Sequence, residues 1–158
     1  MKKHLGNILI SFVFILMILA GCVSPTEDYV KPGYEANEQV SQVEEDGEYT
    51  SKEEVAEYLY LYSHLPRNFI TKKEAKALGW DSKEGNLGEV APGKSIGGDY
   101  FGNFEGLLPE EEGRDYYECD IDSDGGYRGA KRIVFSNDGL IYYTEDHYES
   151  FELLYGEE

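Results

Sequence analysis

Cysteine is scarce in this sequence. Only 2 of its 158 residues are cysteines, Cys22 and Cys119. Cys22 closes an N-terminal segment that we interpret as an export signal, which leaves Cys119 without an internal partner. A fold that depends on a framework of disulfides is therefore excluded. We interpret Cys119 as a small buried apolar residue rather than a reactive thiol.

Positive charge is scarce as well. The chain has 14 Lys and Arg against 32 Asp and Glu, and its formal net charge is −18. Loss of Lys2 and Lys3 with an export signal changes this charge from −18 to −20. General affinity for nucleic acids depends on neutralising phosphates with Lys and Arg. The composition excludes binding of nucleic acid through the overall field, so any action on RNA requires a local basic site.

Long apolar runs are absent beyond the first 22 residues. Residues 8–19 form a short apolar run that follows Lys2 and Lys3 and ends at Leu19-Ala20-Gly21-Cys22. This pattern is typical of an export signal over residues 1–22, and the run is too short for a stable membrane span. A cysteine directly after Leu-Ala-Gly resembles a bacterial lipoprotein box. We expect Cys22 to be diacylated and to anchor the exported chain to the outer face of the cell membrane; an ordinary signal with an incidental cysteine is the alternative.

The rest of the chain divides at residue 50. Residues 23–50 contain eight acidic residues and one Lys, with Pro25, Pro32 and Gly33 and few large aliphatic residues. This composition predicts a disordered acidic tether. Residues 51–158 have the periodic apolar pattern of a folded domain.

The first half of this domain carries helix signals. The first helix is predicted by a capping box at residues 51–54 and by apolar spacing that ends before Pro66. The second is predicted by a capping box at residues 71–74, with Ala75 and Leu78 pointing inward and a stop at Gly79. A shorter helical pattern covers residues 86–90. From Ser95 the apolar period changes to two. The predicted strands cover residues 95–100, 115–121, 130–136, 140–144 and 151–153, with a hairpin turn at Asn137-Asp138-Gly139. Helices followed by strands predict an α+β fold, with the helices packed on one face of an antiparallel meander.

One acidic segment imitates a metal site. Residues 120–125 match the opening of a calcium loop, with oxygen ligands at alternate positions and a glycine sixth. The pattern then fails, because Arg128 stands at position nine and Lys131 stands where a bidentate glutamate is required. We therefore interpret the segment as a turn between strands and expect neither metal nor cofactor. An acidic calcium-binding surface protein remains an alternative, which a metal-dependent melting temperature would reveal.

Several stretches of the domain form a recognisable series of motifs. They are His64-Leu65-Pro66, Phe69-Ile70-Thr71-Lys72, Ala77-Leu78-Gly79-Trp80, Val90-Ala91-Pro92-Gly93-Lys94-Ser95-Ile96-Gly97-Gly98-Asp99 and Thr144-Glu145-Asp146-His147-Tyr148, with Leu108-Pro109, Gly113-Arg114 and Arg132-Ile133. Through these motifs, residues 51–155 resemble the barnase-like family of small guanyl-preferring bacterial ribonucleases. The resemblance runs essentially without gaps, and the segment from Val90 to Asp99 is highly specific.

The resemblance implies an endoribonuclease that cleaves single-stranded RNA after guanine. Glu118 matches the general base that takes the 2′-hydroxyl proton, and His147 matches the general acid that protonates the departing 5′-oxygen. The product is a 2′,3′-cyclic phosphate, which water then opens. The matching cations that bind the phosphate and stabilise the transition state are Lys72, Arg128 and Arg132, and Asp120 matches the buried acid that orients both arginines.

The loop Phe101-Gly102-Asn103-Phe104-Glu105 matches the guanine-binding loop of the family. Its backbone amides and the Glu105 carboxylate are expected to recognise the base, while Phe101 and Tyr148 stack. Phe104 departs from the family, which usually has arginine there. With 11 basic and 24 acidic residues in the domain, we expect weaker RNA binding than in basic relatives, with KM affected more than kcat.

The resemblance implies an RNA substrate and a small acidic barstar-like inhibitor that restrains the enzyme inside the cell. We expect a monomer, whose attachment to the membrane through Cys22 rests on the signal segment alone. The alternative from another class is a catalytically weak or silent interaction module on the same fold, because a fold alone does not define a function.

Overall fold

A computed structural model describes residues 43–157. The predicted signal with Cys22, and residues 23–42 of the predicted tether, lie outside the described residues. The described chain contains three helices and six strands. In chain order they are α1 (Lys52–Tyr62), β1 (Phe69–Ile70), α2 (Lys72–Ala77), α3 (Leu87–Val90), β2 (Ser95–Phe101), β3 (Tyr116–Asp120), β4 (Arg132–Ser136), β5 (Ile141–Thr144) and β6 (Glu152–Tyr155).

The strands form one sheet in the order β1-β2-β3-β4-β5-β6. β1 runs parallel to β2, and every other neighbouring pair is antiparallel. The predicted α+β fold with an antiparallel meander is confirmed. The sequence analysis did not predict β1, because two residues are too few to show a period. The hairpin turn between β4 and β5 is confirmed, with Gly139 at a φ of 103° that suits glycine.

Helix α1 covers one face of this sheet. The Ser51 hydroxyl accepts the backbone N–H of Glu54 at its start. It ends at Tyr62, before Pro66, because Ser63 adopts a left-handed φ of 59°. Its apolar face, with Val55 and Leu59 buried, packs in one cluster with strand residues of the sheet. These strand residues are Cys119, Ile133 and Ile141.

The alternation of side chains along β3 and β4 places the charged residues on the other face. Cys119 and Ile133 are paired in register and face α1. Because neighbouring side chains in a strand point to opposite faces, Glu118, Asp120 and Arg132 lie together on the face away from α1. All three are buried. The sheet thus separates an apolar core from a charged site.

Residues 43–50, which the sequence predicts to be part of the disordered tether, pack on the domain. Val43 is buried, the Tyr58 hydroxyl donates to the carbonyl of Glu45 at 2.6 Å, and the carbonyl of Thr50 accepts the N–H of Asp122 at 2.9 Å. The acidic composition concealed these contacts, since they use backbone carbonyls and one apolar side chain.

Leu78, predicted to point inward, is 55% exposed. Helix α2 ends at Ala77, so Leu78 is the capping residue and no longer follows the buried side of the helix. Ala75 instead packs in a small second core with Trp80 and Leu87. None of the helices within residues 43–157 is both long and apolar enough to cross a membrane.

Candidate active site

Glu118 is the centre of the charged face. Its side chain is 7% exposed and lies in the middle of the sheet on β3. Lys72 donates a hydrogen bond to Oε1 and the Tyr148 hydroxyl donates one to Oε2. Nη2 of Arg128 lies 3.6 Å from Oε1, and Nε of Arg132 lies 3.9 Å from Oε2. The fold therefore brings together five of the residues predicted for the site, from five different segments.

These neighbours decide the protonation of the carboxyl group. Burial raises the pKa of Glu118, because a charged group is poorly solvated there. Hydrogen bonds from Lys72 and Tyr148, and the positive charges of Lys72 and Arg128, lower this pKa by more. The net pKa of Glu118 lies below its ordinary value. The carboxylate is consequently ionised at neutral pH and able to accept a proton.

Asp120 holds the two arginines in place. Arg128 donates to both of its oxygens, from Nε at 2.8 Å and from Nη2 at 2.6 Å. Nε of Arg132 lies 3.0 Å from Oδ1 of Asp120, and its Nη1 donates to the carbonyls of Gly129 and Lys131. Asp120 thus contacts both of the arginines that it is predicted to orient. Both oxygens of this carboxylate, which is the first in the calcium-like pattern, face guanidinium groups.

Lys72 reaches Glu118 from the first turn of α2. A complete capping box between Thr71 and Glu74 starts this helix. The backbone N–H of Lys72 donates to Oδ2 of Asp99 on β2 at 2.9 Å. Asp99 thus ties the start of α2 to the sheet, a role that the sequence analysis missed. Its partner lies 27 residues away, so no local pattern marks it.

His147 lies in a loop after β5 and is exposed. Both His147 (φ 60°) and Tyr148 (φ 74°) adopt left-handed backbone conformations, which residues other than glycine rarely adopt. Their rings lie 4.7 Å apart between centroids. Since Tyr148 reaches Glu118, this pair of rings connects the predicted general acid to the predicted general base.

A network of hydrogen bonds around Asp146 fixes this loop. Oδ1 accepts from the Thr144 hydroxyl (2.8 Å) and from the N–H of Ser150 (3.0 Å), and Oδ2 accepts from the Ser150 hydroxyl (2.5 Å). The Thr144 hydroxyl in turn accepts the N–H of Tyr148 at 3.0 Å. The hydrogen bonds from Ser150 and Thr144 lower the pKa of Asp146 to about 2. The sequence analysis missed Asp146, although the Thr-x-Asp-x-x-x-Ser spacing offered a signal.

The loop predicted to bind guanine lies at the end of β2. The rings of Phe101 and Tyr148 lie 5.1 Å apart, so the loop adjoins the catalytic cluster. The Asn103 side chain is buried and bonds Leu108 twice, to its carbonyl at 2.9 Å and from its N–H at 3.1 Å. The side chain of Asn103 therefore shapes the loop. Glu105 is exposed, and Phe104 is 94% exposed.

The described residues show no cluster of three or more His, Cys, Asp or Glu that could hold a metal ion. Burial raises the pKa of the Cys119 thiol, as expected of an apolar core residue. The chemistry that the cluster supports is proton transfer by a carboxylate beside cations that suit a phosphate.

A family model described as ribonuclease matches residues 52–155. The chain belongs to the ribonuclease family. The residues of this ribonuclease that surround Glu118 all lie within the matched region. The barnase-like resemblance drawn from the motifs is thereby confirmed.

Curated relatives agree with this assignment. A protein named ribonuclease from Heyndrickxia coagulans is 58% identical over 97 residues, which cover 61% of this chain and 89% of that protein. The ribonuclease of Bacillus intermedius is also 58% identical over 97 residues, covering 61% of this chain and 60% of the relative. Guanyl-specific ribonuclease St of Saccharopolyspora erythraea is 46% identical over 57 residues, covering 35% and 56% of the two chains.

Proposed function

We propose that this ribonuclease cleaves single-stranded RNA after guanine, with Glu118 as general base and His147 as general acid. The observation that carries the proposal is the buried, ionised Glu118 in contact with Lys72 and flanked by Arg128 and Arg132. A carboxylate that serves only as a structural ion-pair partner does not need three cations beside an open loop with a histidine.

In the first step Glu118 takes the proton of the ribose 2′-hydroxyl. The 2′-oxygen forms a bond to phosphorus, and the bond from phosphorus to the 5′-oxygen breaks. His147 protonates the departing 5′-oxygen, which leaves a 2′,3′-cyclic phosphate. Negative charge grows on the phosphoryl oxygens during this step. Lys72, Arg128 and Arg132 offer the preorganised cations that stabilise it.

In the second step the roles exchange. His147 takes a proton from water, and the water oxygen forms a bond to phosphorus. The bond from phosphorus to the 2′-oxygen breaks, and Glu118 returns a proton to that oxygen. Because the pKa of Glu118 is lowered, the base is ionised before the substrate arrives.

Guanine preference rests on the loop from Phe101 to Glu105. The exposed Glu105 carboxylate is free to accept from the N–H groups of the base, and the backbone amides of the loop face its acceptor oxygen in this proposal. Phe101 and Tyr148 supply aromatic surface for an unpaired base. The guanyl-specific relative named above supports the preference.

Cleavage of GpU and of ApU, CpU and UpU dinucleotides tests the proposal. We expect guanine-selective cleavage with a transient cyclic phosphate. The variants Glu118→Gln and His147→Asn are expected to lose about 10²- to 10⁴-fold in kcat/KM, as is usual for a lost acid or base. Asn is chosen at residue 147 because it tolerates the left-handed backbone. Folded wild-type protein that cleaves none of the dinucleotides would support the silent interaction module instead.

We also propose that the chain is exported and anchored to the membrane through Cys22. The support is the Leu-Ala-Gly-Cys sequence that follows a short apolar run. Two acyl chains suffice for stable anchoring, whereas one gives only marginal binding. Growth with a radioactive fatty acid should label the wild-type chain and not a Cys22→Ser variant. Equal labelling of the two chains would refute the anchor.

A further inference from the structure

Three lysines that follow Lys72 in the sequence form no ion pair with a carboxylate among residues 43–157. This part of the chain contains eleven Lys and Arg residues, and seven of them form such pairs. Of the other four, Lys94 donates to the carbonyl of Arg67 at 2.9 Å. Lys73, Lys76 and Lys83 make no ion pair, although acidic residues greatly outnumber basic ones. They lie in one short segment that begins directly after Lys72. Unpaired cations are unexpected on such an acidic protein unless something keeps carboxylates away from them.

Two of these lysines continue from the catalytic lysine along α2. Residues four apart in a helix are neighbours on one face, so Lys76 lies one turn from Lys72. Lys73 is the neighbour of Lys76 at a spacing of three. Ala75 is buried on another side of the helix. Lys72, Lys73 and Lys76 therefore form a row on the helix surface. The row starts at the contact between Lys72 and Glu118 and leads away from it.

Lys83 belongs to a loop that adjoins the arginine end of the site. The N–H of Gly88 donates to the carbonyl of Gly125 at 2.7 Å, which joins this loop to the one that precedes Arg128. The ring of Tyr127 rests against Gly85, close enough that a side chain there would collide with it. Tyr127 is 72% exposed and is the sequence neighbour of Arg128. An exposed aromatic ring thus lies between the lysine segment and the phosphate-binding cations.

Three acids in the same segments accept hydrogen bonds from nearby backbone N–H groups, whereas Glu84 and Glu89 are exposed. Glu74 accepts the N–H and the hydroxyl of Thr71, each at 2.8 Å. Asp81 accepts the N–H of Lys83 at 2.8 Å, and Asp124 accepts the N–H of Gly126 at 2.9 Å. These carboxylates stabilise turns and the start of a helix. Lys73, Lys76 and Lys83 are exposed and form no ion pair with another residue of 43–157, although the charge of Lys73 helps to lower the pKa of Glu74.

We propose that Lys73, Lys76, Lys83 and Tyr127 form an accessory surface that binds the RNA strand beyond the nucleotides at the scissile bond. Lysines that follow the backbone and an aromatic ring on which a base stacks are the usual means of holding single-stranded nucleic acid. This inference rests on the proposed function. It explains how a strongly acidic domain retains an RNA chain: a local path of cations replaces an overall positive field.

The test compares GpU with a decanucleotide that contains a single central guanosine, using the full chain. For Lys73→Gln/Lys76→Gln we expect kcat/KM on the decanucleotide to fall about tenfold at low salt. Its logarithmic salt dependence should become shallower by roughly 1.4, since each lost phosphate contact contributes about 0.7 on a single strand. Cleavage of GpU should stay within twofold of wild type. Tyr127→Ala should lower decanucleotide cleavage several-fold without changing the salt dependence.

The matched control is Lys52→Gln/Lys131→Gln. It makes the same change of net charge beside Tyr143, on the α1 face of the sheet. Equal losses in the two double variants would show that only net charge matters and would overturn the proposal. So would a loss on GpU that equals the loss on the decanucleotide.

A binding measurement separates this inference from the proposed function. A fluorescent 2′-O-methyl decanucleotide cannot be cleaved, so its anisotropy reports binding even for a protein without ribonuclease activity. We expect weaker binding for Lys73→Gln/Lys76→Gln than for the control. If Lys73→Gln/Lys76→Gln binds the decanucleotide as tightly as the control, the accessory surface is overturned. If the wild-type protein does not cleave GpU, only the proposed function is overturned.

Discussion

The two proposed proton-transfer groups are held in opposite ways. Glu118 is buried on a central strand, where Lys72 and Tyr148 bond it directly and two arginines lie close. His147 is exposed on a loop and owes its place to the backbone conformation around it. The side chains around Glu118 set its charge, whereas the hydrogen bonds of Asp146 set the position of His147. A mutation is therefore expected to disturb the base through electrostatics and the acid through geometry.

Among the residues around Glu118, Asp120 is the one whose removal is expected to have the largest effect on stability. Asp120→Ala leaves the buried guanidinium of Arg132 and the half-buried one of Arg128 without their main partner. Breaking a buried ion pair in this way costs about 3–5 kcal/mol of the free energy of unfolding. Urea denaturation measures the loss. Asp122→Asn is the control, because Asn tolerates the left-handed φ of 55° at this residue and the exposed pair with Lys131 is worth about 0–1 kcal/mol; similar losses for the two variants would contradict the account.

On the His147 side, Asp146→Ala should release the loop that carries His147 without replacing any residue proposed to contact substrate. A displacement of about 1 Å can lower the rate roughly 10²-fold, so we expect kcat to fall about 10- to 100-fold with little change in KM. Asp146→Asn keeps an acceptor for Thr144 and should recover part of the loss. Glu145→Ala is the exposed neighbouring control. A change in KM without a fall in kcat would be inconsistent with a positioning role.

The loop contribution also depends on pH. The folded-state pKa of Asp146 is lowered from 3.8 to about 2. The stabilisation of the loop is therefore complete above pH 4 and is lost as the pH falls through about 2. The hydrogen bonds that Asp146 accepts from Thr144 and Ser150 therefore persist through the pH range in which the enzyme is assayed.

The smallest expected effect is at the exposed Phe104, which lies outside both hydrogen-bond networks. Phe104→Arg adds one cation beside the guanine-binding loop. We expect KM for RNA to fall several-fold and the logarithmic salt dependence to steepen by about 0.7, the contribution of one phosphate contact. Because no reacting group moves, kcat should hardly change. Tyr60→Arg, an exposed aromatic on α1, is the control; an equal fall in its KM would assign the gain to net charge alone.

Structure that depends on local signals could be predicted from the sequence alone, whereas the assembled site could not. The capping boxes, the period-two strands and the Asn137-Asp138-Gly139 turn are local signals, and the elements they predict are present. The cluster around Glu118 was predicted through the motifs that resemble a family, because its members come from α2, β3, the turn before β4, β4 and the loop after β5. Composition alone would have left Glu118 as a solvated strand residue.

The remainder depends on contacts between distant segments. Asp99 bonds the N–H of Lys72 across 27 residues, and Tyr148 reaches Glu118 across 30 residues. β1 is fixed by pairing with β2 rather than by its own two residues. The packing of residues 43–50 uses backbone carbonyls, which composition does not reveal. None of these contacts has a signature within one segment of the sequence.

The most direct test of the assignment of base and acid is the pH dependence of kcat/KM for GpU. Wild type should give a bell, whose acid limb is lost in Glu118→Gln and whose basic limb is lost in His147→Asn. Lys72→Gln should keep both limbs but move the acid limb to higher pH, because the pKa of Glu118 rises when its hydrogen bond and positive charge are removed. An acid limb that survives in Glu118→Gln, or moves to lower pH in Lys72→Gln, would contradict the account.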